Sequence, residues 1–303
     1  MRLRQALWCA LLLALPVVAM AKSHFVIVGG LGGEPRYSQQ WAEYVDSLEE
    51  TCAKAAGDES LVHAVKDSAA TKEAIEAVFA ELGRETEAND IVAVFLIGHG
   101  SFDGHEYKFN IPGRDITAGR LKELLDGLPV KDQLIAITTS SSGASMELLK
   151  AERRIVITAT KSGSERTVTE FAKHWVEALR DPEADTNKDE KITALEAFTY
   201  ADTKVQESYK AEKKLATEHA RIEGELAANF TLARLGTNLD ALSDPKLRPL
   251  FEKRDDVERH IAELKGRKDQ MEEAVYLSAL QTLLIELART QNEIDEAAGV
   301  QEP

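Results

Sequence analysis

Two short stretches of this chain carry the residue types of nucleophilic catalysis. A near-continuous apolar run over 91–97, IVAVFLI, stops at Gly98-His99-Gly100, and a second run over 133–139, QLIAITT, stops at Ser140-Ser141-Ser142-Gly143. An imidazole can take the proton of a hydroxyl within hydrogen-bond reach, while backbone N–H groups hold the oxyanion that develops. The turn Ser140 to Gly143 leads into a helix expected from about Ala144, whose first N–H groups could be such donors. It is not a nucleophile elbow, because the glycine two residues before the serine is absent. A turn that merely contains a histidine has the same local pattern. The two stretches in order carry the reading; either alone is weak.

A third stretch has the residue types of a cation site. In Asp185 to Glu196, DTNKDEKITALE, side-chain oxygens fall at positions one, three and five (Asp185, Asn187, Asp189). Lys191 offers its backbone carbonyl at seven, Ile192 is the apolar residue at eight, Thr193 stands at nine, and Glu196 can bind bidentately at twelve. That is the spacing of an EF-hand-like loop for Ca2+. Position six, normally glycine for a left-handed turn, is Glu190; a side chain there costs about 1 kcal/mol and reduces affinity. An acidic loop capping the helix near Thr193 would look the same. With no paired second loop, a structural Ca2+ that positions this helix is expected rather than a sensor.

These groups need a scaffold that brings strand ends together. Buried apolar runs read as central strands of a parallel sheet, and open α/β sheets bind ligands beyond the carboxyl ends of their strands. Residues 24–28 form a first strand ending in Gly29-Gly30-Leu31-Gly32-Gly33. That loop lacks the full G-x-G-x-x-G spacing and the phosphate-loop lysine, so a nucleotide site is a distant reading. A helix over about 38–55 puts Trp41, Tyr44, Val45 and Leu48 on one face. Leu61, His63 and Val65 alternate as a second strand; Thr71 caps a helix bearing Ile75, Val78, Phe79 and Leu82. Residues 106–111 suit a short hairpin arm, and Thr117 caps a helix with Leu121, Leu124 and Leu125. Residues 155–159 give another strand, and Thr167 opens a helix with Phe171, Trp175, Val176 and Leu179. Strands alternating with helices predict a doubly wound, mostly parallel α/β sheet flanked by helices.

From Thr193 onward nearly everything is expected to be helical. Val257, Ile261, Leu264, Met271 and Val275 follow heptad spacing, interrupted by Lys268, and Leu277, Leu280, Leu284, Leu287 and Ile294 continue it out of phase. Pro245 and Pro249 mark a break before it. The tail therefore reads as a coiled coil, self-associating or folded back, or as a solvated helix on the sheet domain.

The chain of 303 residues has a formal net charge of -15, which argues against nucleic acid or an anionic membrane as main partner. Arg2 and Arg4, an apolar stretch from Ala6 to Val18 and Ala19-Met20-Ala21 have the pattern of a signal peptide cleaved before Lys22. The apolar part is short for a membrane span, and Pro16 interrupts it. A secreted or periplasmic protein is expected, with no stable membrane span after cleavage. Of Cys9 and Cys52 only Cys52, a small core residue in the first helix, would remain, so no intrachain disulfide can form.

An apolar block then His-Gly, followed by a second apolar block then a nucleophile, resembles the caspase-fold cysteine peptidases, most nearly their legumain-like branch. The resemblance covers about Phe25 to Leu179. It implies that His99 is the base, that Gly100 donates to the oxyanion, and that Ser140 stands where the family has its cysteine. Ser141 and Ser142 are neighbouring alternatives. It also places the pocket for the residue before the scissile bond among strand-end loops, where Arg36, Arg114 and Lys161 could read an acidic or amide side chain. The serine is the departure. A thiol ionises near pH 8.5 and an adjacent imidazolium lowers that further, whereas a hydroxyl generally needs a base oriented by a third group. Asp103 and Glu106 are merely nearby.

The resulting expectation is a signal peptide over 1–21, a caspase-like domain over 22–182, a calcium loop and helix over 183–200, and a helical tail over 201–303. Functionally it is an exported peptidase homologue acting on polypeptides through His99 and Ser140. The alternatives are a catalytically silent peptide-binding or assembly module, and an interaction protein whose tail carries the function.

Overall fold

A computed structural model describes residues 21–236, 239 and 244–299. The expected signal peptide lies outside them except for Ala21. The first strand is β1 (Ser23–Gly29), followed by α1 (Pro35–Ala56), β2 (Val62–Val65), α2 (Lys72–Glu85) and β3 (Ile91–Ile97). A three-stranded antiparallel arm, β4 (Gly100–Phe102), β5 (Tyr107–Phe109) and β6 (Ile116–Thr117), leads into α3 (Ala118–Asp126). Then come β7 (Asp132–Ile137), α4 (Met146–Leu149), β8 (Arg154–Thr158) and α5 (Phe171–Ala178). Next are β9 (Lys191–Thr193), α6 (Ala194–Ala211), β10 (Arg221–Glu223) and β11 (Thr231–Arg234). The helices α7 (Arg248–Gly266) and α8 (Glu273–Ala298) follow.

The central sheet has the order β10-β8-β7-β3-β1-β2 and is parallel except for β10, which runs antiparallel to β8. The apolar runs are buried on both faces because alternate residues serve opposite layers. Phe25, Ile27, Phe95, Ile97, Leu134 and Ala136 face a core with α1, α5 and α6. Val26, Val28, Val94, Leu96, Ile135 and Ile137 face one with α2 and α3. Each fully buried apolar side chain of this kind contributes about 1.5–3 kcal/mol. Thr71 and Thr117 accept from the N–H groups of Ala74 and Arg120 and cap α2 and α3 as expected. Trp41, Val45, Leu48 and Cys52 are the buried face of α1.

Three expectations need correction. The helix assigned to Thr167 begins at Phe171, because Thr169 and Glu170 are held elsewhere: Thr169 Oγ1 donates to the Thr138 carbonyl (2.6 Å), and the Glu170 N–H donates to Glu218 (2.8 Å). The segment after Thr193 is not all helical. β10 covers the β8 edge, and β11 pairs antiparallel with β9; strands this short leave no periodicity to read. The tail forms no continuous coiled-coil seam among the described residues. It breaks at Arg267–Met271 into two helices that pack on each other, with Phe251 and Ile294 clustered and Lys253 paired to Glu293 at 3.3 Å. The tail also folds back on its own domain: Arg248 donates to the carbonyls of Gly57 (2.8 Å) and Ala56 (2.9 Å), and Arg153 bridges Asp132 and Glu263. Val275, Leu277 and Leu284 stay exposed.

Trp175 is fully buried, stacked on Phe171 and edge-on to Phe95 at 5.8 Å. Trp175→Ala should lower unfolding free energy by about 3–5 kcal/mol in urea titration, through lost contact and the cavity left behind.

Candidate functional site at the strand ends

β3 and β7 are neighbours in register, with Leu96 opposite Ile137, so the segments leaving them meet at the same sheet end. The chain crosses there through glycine because nothing larger fits. A Cβ on Gly100 would stand 2.4 Å from Thr139 Oγ1, 2.5 Å from the Ser140 carbonyl oxygen and 2.6 Å from the Tyr107 ring. Tyr107 and Thr139 share a hydroxyl hydrogen bond of 2.6 Å behind this contact.

Ser140 is the serine that faces the histidine segment. It is buried, and its Oγ donates to the Gly100 carbonyl (2.9 Å), while the Gly100 N–H reaches back to Oγ at 3.4 Å. Ser141 adopts the left-handed region (φ +56°), donates its N–H to the Glu165 carbonyl (2.7 Å), and holds a buried Oγ without a partner. Ser142 is tied to the end of β8: its Oγ shares a 3.2 Å bond with Thr160 Oγ1 and accepts from the Thr160 N–H. Three of the N–H groups at the turn are engaged. The N–H of Ser141 goes to Glu165, that of Gly143 to Thr160 Oγ1 (2.9 Å), and that of Ala144 to the Ser141 carbonyl. The hydroxyl-lined turn is thereby packed against β8, and the Gly100 N–H stands beside Ser140 Oγ.

His99 lies in an aromatic corner that the sequence reading missed. Trp41 meets the imidazole edge-on at 4.4 Å between ring centroids and Tyr37 does so at 5.4 Å, the two rings stacking on each other at 5.6 Å. They stand four residues apart in α1, directly after the glycine-rich loop, and that i,i+4 aromatic spacing was the available signal. Burial holds the His99 pKa below its ordinary 6.5, opposed by a hydrogen bond to the Gly32 backbone and by Glu34. The imidazole is therefore neutral at pH 7, the form that accepts a proton. Among the hydrogen bonds of the described residues, none joins His99 to Ser140.

Of the three basic candidates, Arg36 is exposed, pairs with Glu34 at 3.1 Å and lies over the Tyr37 ring, so it flanks the aromatic corner. Lys161 is exposed on the loop after β8, packed against Gly143, with Glu165 3.5 Å from its ammonium. Arg114 is exposed on the connection between β5 and β6. Asp103 pairs with Lys108 at 2.7 Å, and Glu106 accepts from the Gly119 N–H.

A second acidic pair, unread in sequence, clamps the loop beside Ser141. Glu165 accepts from the N–H groups of Lys161 and His219 and pairs with His219 Nδ1 at 2.6 Å. Burial alone would raise its pKa; these partners hold it below the usual range. Glu218, 1% exposed, caps α5 by accepting from the N–H groups of Glu170 and Phe171. Here burial prevails over those hydrogen bonds and pushes the carboxyl up to about 7. Residues 48 and 54 positions apart meet here, a separation that leaves no local pattern.

The calcium-type loop has the expected backbone: Glu190 at φ +61° is left-handed where glycine usually stands, and Ile192 is buried in the β9–β11 pair. Its side chains are turned to hydrogen bonding. Asp185 accepts from the N–H groups of Asp189 and Glu190. One Glu196 oxygen accepts from Thr186 N–H and O–H, the other from Thr193 N–H and O–H. Burial raises the Glu196 carboxyl, and these donors more than offset it. Among the described residues no three or more His, Cys, Asp or Glu side chains gather as a metal group. The Lys191 side chain points away to Asp255 (2.9 Å) and Glu258. A cavity of about 970 Å³, lined by Arg248, Ile261 and other residues of α7 at the other end of the sheet, includes neither His99 nor Ser140. No helix of the described residues is long and apolar enough to cross a membrane.

No protein-family model matches this sequence, and no curated protein matches it. Among solved structures the chain is similar to a Geobacter sulfurreducens protein (TM-score 0.45, 10% identity, 72% of this chain and 96% of that one). It is also similar to caspase-1 from Spodoptera frugiperda (TM-score 0.45, 13% identity, 68% of this chain and 87% of that one).

Glu218 gives a signed pH dependence. Its folded pKa lies above its ordinary 4.5, so its contribution to stability is present below pH 4.5 and is lost as pH rises through about 7. Relative to Glu218→Gln, the wild type should lose on the order of 3 kcal/mol across that interval. Urea unfolding of both proteins at a series of pH values measures it.

Proposed function

We propose that this chain is an exported, catalytically silent homologue of the caspase-fold, legumain-like peptidases that binds peptide at the ends of β3 and β7. The carrying observation is the direction of the Ser140 hydroxyl: its proton is donated to the Gly100 carbonyl and not to the imidazole. A hydroxyl is far less acidic than a thiol, and without a base on its proton it is a poor nucleophile. What remains is binding chemistry: a neutral imidazole, two stacked aromatic rings, and the exposed cations Arg36 and Lys161 on flanking loops. These suit an extended peptide bearing an acidic or amide side chain.

The test is hydrolysis of a fluorogenic peptide library by the mature chain, with Ser140→Ala and Ser140→Cys alongside, and labelling by a serine-reactive fluorophosphonate. Wild type and Ser140→Ala should both give no turnover, and Ser140 should stay unlabelled. Wild-type turnover abolished in Ser140→Ala would replace this reading with a serine-nucleophile peptidase, the reading favoured by the neutral His99. Turnover gained by Ser140→Cys would mean that the site lacks only its thiol. Peptides that bind should change the emission of Trp41, measured in a Trp175→Phe background.

We also propose that the 185–196 loop takes a structural Ca2+, with Asp185, Asn187, Asp189, the Lys191 carbonyl, Thr193 and Glu196 as donors. Its left-handed Glu190 supports this; the engagement of Glu196 by Thr186 and Thr193 works against affinity. Calorimetry with Ca2+ should give heat that is absent in Glu196→Ala. A flat wild-type titration would leave the hydrogen-bonded loop as the sole brace for α6.

A further inference from the structure

Asp90 is a buried carboxylate at the start of β3, next to the first described residues. Its Oδ1 accepts from the backbone nitrogen of Lys22 at 2.7 Å, and its Oδ2 from the N–H of Glu87 at 2.7 Å. The Lys22 carbonyl in turn accepts from the Ile91 N–H (2.9 Å), so residue 22 is held in register at the edge of the β1–β3 pair. Among the described residues, the basic side chain within ion-pair distance of Asp90 is His24, at 3.9 Å. His24 is 2% exposed, and both its ring nitrogens are buried without a hydrogen-bond partner. Lys22 is exposed. A carboxylate removed from water is stable when a full opposite charge meets it, and two amide N–H groups supply dipoles only.

The nitrogen that already touches Asp90 is the one that signal removal after Ala21 would free. We propose that Asp90 is a docking site for the new amino terminus: hydrolysis of the Ala21–Lys22 bond converts an amide N–H···carboxylate bond into an ammonium–carboxylate pair at the same place. In that step water adds across the peptide bond, its hydroxyl going to the Ala21 carbonyl carbon and its proton to the Lys22 nitrogen. The amine then takes a second proton from solvent and is an ammonium at neutral pH. The co-reactants are water and a signal peptidase of the export apparatus. Processing thereby locks the sheet: the pair ties the start of β1 to the turn before β3, the central strand whose far end carries His99. The inference rests on the export reading.

The experiment compares two chains released from a removable fusion, one starting at Lys22 and one retaining Ala21, each as wild type and as Asp90→Asn. The Lys22 chain should melt about 2–4 °C above the Ala21 chain, and the difference should vanish in Asp90→Asn. Equal melting of the two wild-type chains, or a difference that persists in Asp90→Asn, overturns the docking site. Sequencing the amino terminus of the exported protein tests the reading beneath it separately: Lys22 is expected, and a start elsewhere overturns the processing step even if the melting difference stands.

Discussion

The meeting of the β3 and β7 ends at Gly100 is the contact on which the rest of the site depends. Two parallel strands buried on both faces have no freedom to splay, because each alternate side chain is fixed in a separate packed layer. Their exits are forced together, and residue 100 passes so close to Thr139, Ser140 and Tyr107 that a side chain has no place. That proximity brings the Ser140 hydroxyl to the Gly100 carbonyl, and the same bond directs its proton away from His99.

Around this contact polar groups hold the loops together. Ser142, Thr160 and Gly143 tie the serine turn to β8, and Glu165 with His219 ties the next loop to the segment before β10. His99 is embraced by rings and kept neutral by burial. A neutral imidazole thus stands near a hydroxyl whose proton goes to the Gly100 carbonyl. These ties persist because buried polar groups cost little once they are paired in the interior.

The other end of the sheet is braced differently. The 185–196 loop hands its strand to β11, and α7 closes over it through Lys191, Arg153 and Arg248. The tail is thus part of the domain through α7, while α8 leaves Leu277 and Leu284 exposed. Heptad spacing found Val257 and Ile261, which are buried, along with Val275, Leu277 and Leu284, which are exposed, and left the partner open, since a helix packed on a neighbour and a coiled-coil strand present the same stripe.

The sequence by itself determined the layered parallel sheet, the caps at Thr71 and Thr117, the burial of Cys52, and the strand-end location of His99 and Ser140. Those follow from local alternation, apolar runs and capping residues, which act within a few positions. It also indicated the left-handed turn at Glu190, because the loop spacing is a local property. Only the tertiary structure decided which way the Ser140 hydroxyl points, that Tyr37 and Trp41 enclose His99, and that Glu165 and His219 meet across 54 positions. It alone placed the short strands β10 and β11, which exist because edges of β8 and β9 offered unpaired backbone groups. Hydrogen-bond direction and long-range pairing depend on distances set by packing of the whole chain, and such distances leave no periodic trace in the order of its residues.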